Sequence, residues 1–270
     1  MVKRSRYFRE WCTARVREKN ESHTPAALNE EQGTKVTMVL TVEVIEGISA
    51  HISENIDVAI EEQLRIRELL ILEPKVTTDA IRTIAGVDAA YSDREVIAAA
   101  VNLSYPEGAI ISESVIREPA LVPYLPGLFA LREGRAVLNA LRRLSSAPDM
   151  IMVHGHGYAH PRRCGLASHV GIILDRPTMG VADRLLVGEI STLPPFRGSM
   201  VPVIDRDEVI GMAIRTKENI RPVYVSIGHR TNLDQVVDLT LATTGEHRLP
   251  TPLWLADQRA RQARTIRGKK

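Results

Sequence analysis

Apolar residues recur along this chain with two periods. From Ile56 to Leu72 they return at helical spacing (Ile56, Ile60, Leu64, Leu69) with Glu and Arg between them, which predicts an amphipathic helix. The run Thr83–Tyr91 is apolar except for one carboxylate, Asp88, and reads as a buried strand. Ile97–Leu103 and Ala109–Ile116 read as two further strands, separated by the turn residues Tyr105-Pro-Glu-Gly108. Helical period returns over Leu128–Leu144, followed by a strand at Met150–Val153, a helix over Arg162–Leu174 and a strand at Pro177–Ala182. Strands at Val209–Ile214 and Val223–Ser226 precede a helix over Leu233–Thr243, and Leu249-Pro-Thr-Pro252 leads into a last helix near Trp254–Arg264. Three hairpin-like strands followed by alternating helices and strands predict an α/β fold, a mixed sheet flanked by helices on both faces.

Ahead of this core, residues 1–52 read as an N-terminal extension, partly disordered. Its segment 18–35 is polar and Pro-interrupted, whereas Val36–Ile45 is β-branched and suits a strand. Net charge is only +2, but residues 258–270 form a basic C-terminal tail with Arg259, Arg261, Arg264, Arg267, Lys269 and Lys270, and the first nineteen residues are also basic. Such ends suit a polyanionic partner. Aromatic residues make up 4% of the chain, too few for a base-stacking platform of the single-strand-binding type. Cys12 and Cys164 lie far apart and form no CxxC pair, which argues against a disulfide scaffold or a cysteine zinc site. No apolar run approaches the ~20 residues of a membrane span, and the start lacks the shape of a signal peptide. A soluble, cytoplasmic protein is expected, with no membrane partner and acting as a monomer.

Chemistry is concentrated around one span. Ile151, Met152 and Val153 lead from a strand into Gly155-His-Gly157, and Pro161, Arg162 and Arg163 follow. A strand end, a tight glycine loop and a helix start can together present backbone N–H groups and cations to a phosphate. Asp88 lies in an apolar strand, where an ionised carboxylate must be paired, exposed at the strand end or bound to a cation. Carboxylates from a strand and two helices (Asp88, Glu133, Asp257) would offer the hard oxygen ligands that Mg²⁺ requires. Cys164 with His160 or His169 could instead suggest a cysteine hydrolase, but a thiol on a buried helix face is inert.

Several strings resemble the endonuclease V family: Ile84-Ala-Gly-Val-Asp88, Pro123-Tyr-Leu-Pro-Gly-Leu-Phe-Ala-Leu-Arg-Glu133, Gly155-His-Gly-Tyr-Ala-His-Pro-Arg-Arg163, Pro177-Thr-Met-Gly-Val-Ala182, Gly228-His-Arg230 and Arg248-Leu-Pro-Thr-Pro252. They occur in the family's order and at compatible spacing, and they assign residues 53–257 to an endonuclease V-like domain. The resemblance implies a ribonuclease H-like, Mg²⁺-dependent repair nuclease that nicks DNA at the second phosphodiester bond 3′ to a deaminated base, hypoxanthine above all. A 5′-phosphate and a 3′-hydroxyl would result, and inosine-containing RNA is an open second substrate. It implies Asp88 as a metal ligand, Glu133 and Asp257 as further acidic catalytic groups, and His160 as a residue beside the scissile phosphate. Pro123, Tyr124, Leu125 and Pro126, with Gly127, would enter the duplex where the base is extruded. Gly155, His156 and Gly157 would approach that base, and Arg162 and Arg163 would hold phosphates.

Two positions depart from the family pattern. His154 stands where the family has a metal-binding Asp, and Asp183 stands where it has a Lys. An imidazole at 154 makes Mn²⁺ a substitute for Mg²⁺ and favours it. Asp183 could return the carboxylate lost at 154. The same two departures motivate an alternative: an impaired relative that binds deaminated nucleic acid without efficient cleavage.

Overall fold

The computed structural model describes residues 52–92, 94–120 and 127–266. The apolar run Thr83–Tyr91 forms strand β1, which pairs antiparallel with β2 (Glu95–Ser104); β2 in turn pairs antiparallel with β3 (Ile110–Pro119). These are the three consecutive strands expected from the sequence. On the other side of β1 lie two parallel strands, β4 (Met150–His154) and β5 (Thr178–Ala182). Three antiparallel strands complete the sheet: β6 (Met200–Asp205), β7 (Glu208–Ile214) and β8 (Val223–His229). The strand order is β3-β2-β1-β4-β5-β8-β7-β6.

Side chains alternate across each strand, so the sheet has two packed faces. Ala85, Val87, Ala98, Ala100, Ile151 and Val153 face α2 (Phe129–Arg142) and α3 (Leu166–Leu174), and α1 (Ile52–Arg67) packs beside them through Ala59. The opposite face receives α5 (Thr251–Ile266), whose Ala256 and Ala260 meet Val101, Leu103, Ala90 and Ala99. Helix α4 (Leu233–Thr243) packs on β7 and β8. Helices on both faces of a mixed sheet match the expected ribonuclease H-like architecture. Among the described residues no helix is long and apolar enough to cross a membrane.

The close approach of α5 to β1 depends on Gly86. A Cβ at this position would lie 2.2 Å from the backbone carbon and oxygen of Pro252. That atom is main chain and has no rotamer to yield. We expect Gly86→Ala to cost about 3 kcal/mol or more, read as a lower urea midpoint with an unchanged slope.

Three local expectations are corrected. The helix expected from Arg162 begins at Leu166, because Arg163 adopts a left-handed backbone (φ 58°) and Gly165 is extended. Strand β6 had no sequence signal. Its hairpin to β7 turns through Arg206 and Asp207, both at positive φ without a glycine, and Pro202 interrupts the strand pattern. β6 is an edge strand, where a proline is tolerated. The boundary of the basic tail at 258 falls inside α5, which continues to Ile266 with Ala260 buried against the sheet. The extension before Ile52 and residues 267–270 lie outside the described residues.

Candidate active site

The parallel strands β1, β4 and β5 bring three polar side chains to one end of the sheet. Val87 pairs with Val153, so Asp88 and His154 are the next residues along each strand and share a face. His154 pairs with Val181, and Asp183 lies two residues further along the chain. The His154 Nδ1 is 2.9 Å from Asp88 Oδ1, and its Nε2 is 3.6 Å from Asp183 Oδ2. Arg248 donates to the other oxygen of Asp183. Burial alone would lower the His154 pKa, but the Asp88 charge and the Asp183 and Asp88 acceptors outweigh it and carry the ring up to about 10. Contact with His154, joined by Arg248, holds the Asp183 carboxyl well below the usual range against the effect of its own burial. The imidazolium thus sits between two carboxylates, and Asp88 also accepts the Ala89 amide at 2.7 Å.

Glu133 joins this group from the first turns of α2. It is 6% exposed, and among the described residues nothing donates a hydrogen bond to it. Burial pushes its carboxyl up to about 8; the nearby Asp88 charge adds to the rise and His154 opposes it. Asp88 and Glu133 thus lie near enough for the charge of one to act on the other. Asp257 pairs with Arg261 at 2.5 Å, and Arg261 also feels the charges of Asp88 and Asp183.

Among the described residues no three of these groups already stand as a metal-binding set; His154 holds two of the carboxylates by ion pairs instead. The donor chemistry nevertheless fits a hard divalent ion. Asp88 and Asp183 offer anionic oxygens, and Glu133 adds, among the described residues, a buried carboxyl without a hydrogen-bond donor, whose proton a cation would displace.

A cavity lined by Gly127, Ala130, His154, Gly155, His156 and Leu166 opens beside this cluster. Part of its wall is fixed by one carbonyl, that of Gly127, which receives three donors: Arg162 Nη2 at 2.8 Å, His160 Nε2 at 3.0 Å and Gln63 Nε2 at 3.2 Å. Gln63 also donates to the Cys164 carbonyl at 2.7 Å and accepts from Arg162 Nε. The expected wedge residues Pro123, Tyr124, Leu125 and Pro126 lie outside the described residues; Gly127 is the point where the chain leaves that segment.

Three expected roles are revised by these contacts. His160 is 2% exposed, and its Nδ1 accepts the Arg162 amide at 3.2 Å, so the ring proton is on Nε2 and goes to Gly127. It holds the loop and has no proton left to give a leaving group. Arg163 is spent on Asp205 (2.7 Å) and Glu208 (2.8 Å) of the β6–β7 hairpin and is not available to a phosphate. Arg162 has no carboxylate partner among the described residues, so its charge remains available to one. Gly157 turns away from the cavity, its amide bonded to Ser226 Oγ at 3.0 Å and its carbonyl to the Gly165 amide at 2.9 Å. Cys164 is buried, and its thiol is pushed by that burial up to about 12, consistent with an inert role.

Two residues went unassigned at the sequence level. Gln63 falls in the apolar phase of α1 with Ala59 and Ile66 and is 3% exposed, so a polar residue in the buried register was its signal. Arg248 lies in one of the quoted strings, but only the fold shows it beside Asp183.

A family model described as endonuclease V matches residues 64–258. The endonuclease V of Roseiflexus castenholzii is 42% identical over 208 residues, covering 76% of this chain and 94% of its own. The crystal structure of endonuclease V from Streptomyces avermitilis superposes with a TM-score of 0.74 at 37% identity, covering 79% of this chain and 94% of that one. Endonuclease V of Ciona intestinalis, solved with a 24mer DNA containing an inosine followed by a ribo-adenosine, shares the fold with a TM-score of 0.69 at 24% identity, covering 79% and 99%.

Proposed function

The chain belongs to the endonuclease V family, and on that premise we propose that it nicks DNA at the second phosphodiester bond 3′ to deoxyinosine, leaving a 5′-phosphate and a 3′-hydroxyl. The carrying observation is the gathering of Asp88, Glu133 and Asp183 around His154, which also lines the cavity beside Gly127. Members of this family depend on a divalent metal. Held by these residues, the ion would activate an attacking water and offset charge on the phosphate.

Each residue then has a defined task. Asp88 and Glu133 supply oxygen donors from β1 and α2. Asp183 supplies the negative charge that an imidazole at 154 cannot, and Arg248 orients it. His154 either ligates as a neutral ring or, protonated, keeps the two carboxylates apart; a nitrogen donor here favours Mn²⁺ at least as much as Mg²⁺. Arg162, fixed by Gln63 and Gly127, presents a cation to the strand at the cavity mouth. Tyr124 and its flanking prolines fill the gap left by the extruded base. The proximity of Asp183 to His154 supports a cutting enzyme over a protein that only binds, because the charge lost at one position returns at the other. We place the enzyme in the cytoplasm, as a monomer acting on DNA.

A nicking assay on a duplex with one deoxyinosine tests this reading. One product, cut at the second bond 3′ to the lesion, is expected with Mg²⁺ and at least as fast with Mn²⁺, and Asp183→Asn should weaken Mn²⁺ binding measured by calorimetry. Tight binding without product under either metal would leave only the binding role.

A further inference from the structure

The end of the sheet that carries Asp88 and Asp183 also carries two loops with no assigned role. Ala182 pairs with Tyr224, and Met200, Ile214 and Val223 are linked through the registers of β6, β7 and β8, so residues 193–199 and 215–222 lie at that same end. Backbone hydrogen bonds lock the loops together: the Gly198 amide donates to the Arg215 carbonyl at 2.8 Å, and the Asn219 amide to the Pro195 carbonyl at 2.9 Å. Residues 244–248 support them from behind. The Thr216 hydroxyl donates to the Arg248 carbonyl at 2.7 Å, and Arg197 Nη2 to the Thr244 carbonyl at 2.9 Å. Arg248 closes the link, donating to the Pro222 carbonyl at 3.2 Å and to Asp183. Ile220 is two residues from Pro222, at most ~7 Å along the chain, so the loops form a shelf that adjoins the metal-binding cluster.

The shelf displays apolar side chains and cations together. Phe196 is 63% exposed, the most exposed large apolar side chain among the described residues, and Ile220 is 45% exposed. Each lies one residue from the Asn219–Pro195 hydrogen bond, so the two stand on neighbouring stretches of backbone that cannot fold over to bury them. Arg197, Arg215, Lys217 and Arg221 lie on the same loops, and none of them forms an ion pair with a carboxylate among the described residues. Glu218 and Glu246 are the nearby acids, and both are exposed. Arg215 is spent on the Pro194 and Ile220 carbonyls and Lys217 on the Glu246 carbonyl, whereas Arg221 is exposed. We propose that Phe196, Arg197, Ile220 and Arg221 form a second contact surface for the substrate, which holds one duplex arm beside the lesion. The proposal rests on the DNA-nicking reading above. Cations without carboxylate partners suit phosphates, and an exposed ring with an aliphatic neighbour suits the sugars of a groove. The shelf acts by positioning, because none of its four residues touches the cluster around His154.

The test uses the full chain and three duplexes with one central deoxyinosine. One has arms of ~15 base pairs on both sides; in the others one arm or the other is cut to ~4 base pairs, roughly 14 Å at 3.4 Å per step, and capped by a hairpin loop. Binding is measured by fluorescence anisotropy at several salt concentrations, so the result does not require turnover. Cutting one of the two arms should lower wild-type affinity about tenfold or more and flatten the slope of log affinity against log salt by about 2, one phosphate for each of two cations. Arg197→Gln combined with Arg221→Gln should bring the long and cut duplexes within about twofold of each other, and Phe196→Ser should narrow the gap in part. Arg197→Lys with Arg221→Lys keeps both charges and should keep the slope. The ratio is internal to each variant, so a partly unfolded preparation lowers both affinities and leaves it intact. Equal binding of all three duplexes by the wild type, or an unchanged ratio in the Gln pair or in Phe196→Ser, overturns the proposal. Nicking of the long duplex is scored separately: its absence counts against the enzyme reading, and a nick with no dependence on either arm counts only against the shelf.

Discussion

Asp88→Asn should lower the single-turnover nicking rate by about a thousandfold or more at saturating metal, with affinity for a deoxyinosine duplex held within about threefold. The substitution is nearly isosteric, and an amide oxygen can still accept the Ala89 N–H that Asp88 takes at 2.7 Å. It removes the charge that lies 2.9 Å from His154 and that also raises the Glu133 carboxyl. The Glu133 pKa should fall from about 8 only in part, because burial, its larger cause, is untouched. Base affinity should survive because Asp88 is not among the residues that line the cavity with Gly127, Gly155 and Leu166. A variant that nicks within tenfold of the wild type would remove Asp88 from the metal-binding group and with it the assignment of the site.

The sheet was legible in the sequence wherever a side-chain period reported burial. Thr83–Tyr91 is the strand expected, residue for residue, because eight apolar or small residues around one carboxylate leave no helical alternative. The β6–β7 hairpin was not legible, because Arg206 and Asp207 make a turn that usually advertises itself with glycine or asparagine. At the site, residue type identified Asp88 and Glu133 but could not report what their neighbours had already claimed. Arg162 and Arg163 are adjacent and alike in sequence, yet among the described residues one keeps its charge free of carboxylates and the other is neutralised by Asp205 and Glu208 from forty residues away. His160 is the same case: a histidine in a nuclease-like string suggests proton transfer, but both ring nitrogens are used to hold the chain. Long-range pairing decides such roles, and no local pattern encodes it.

That pairing has a consequence for stability in acid. His160, His169 and His229 are each 4% exposed or less, and burial, the largest cause in each, lowers them to about 3, 4 and 4 from an ordinary 6.5. In two of them protonation would also turn an accepting nitrogen against a donor: His160 Nδ1 faces the Arg162 amide, and His229 Nδ1 faces the Ile71 amide at 3.3 Å. Between the folded value and 6.5 the unfolded chain binds protons that the native chain does not, so stability falls as pH falls, and above 6.5 these groups contribute no slope. His156, lowered mainly by burial to about 4, acts in the same sense, whereas Glu133, raised to about 8, binds its proton in the native state and opposes it between 4.5 and 8. These two nearly cancel in the window between pH 6.5 and 4.5, leaving three groups and a slope of up to about 4 kcal/mol per pH unit. Against a typical domain stability of about 5–15 kcal/mol, that is enough to unfold the protein between pH 6 and 5. Urea midpoints should drop steeply from pH 6.5 to 5, and His169→Asn should flatten the slope by about a third. A midpoint that stays level from pH 7 to 5 would mean that the native state protonates these rings freely, which the Arg162 and Ile71 amides do not permit.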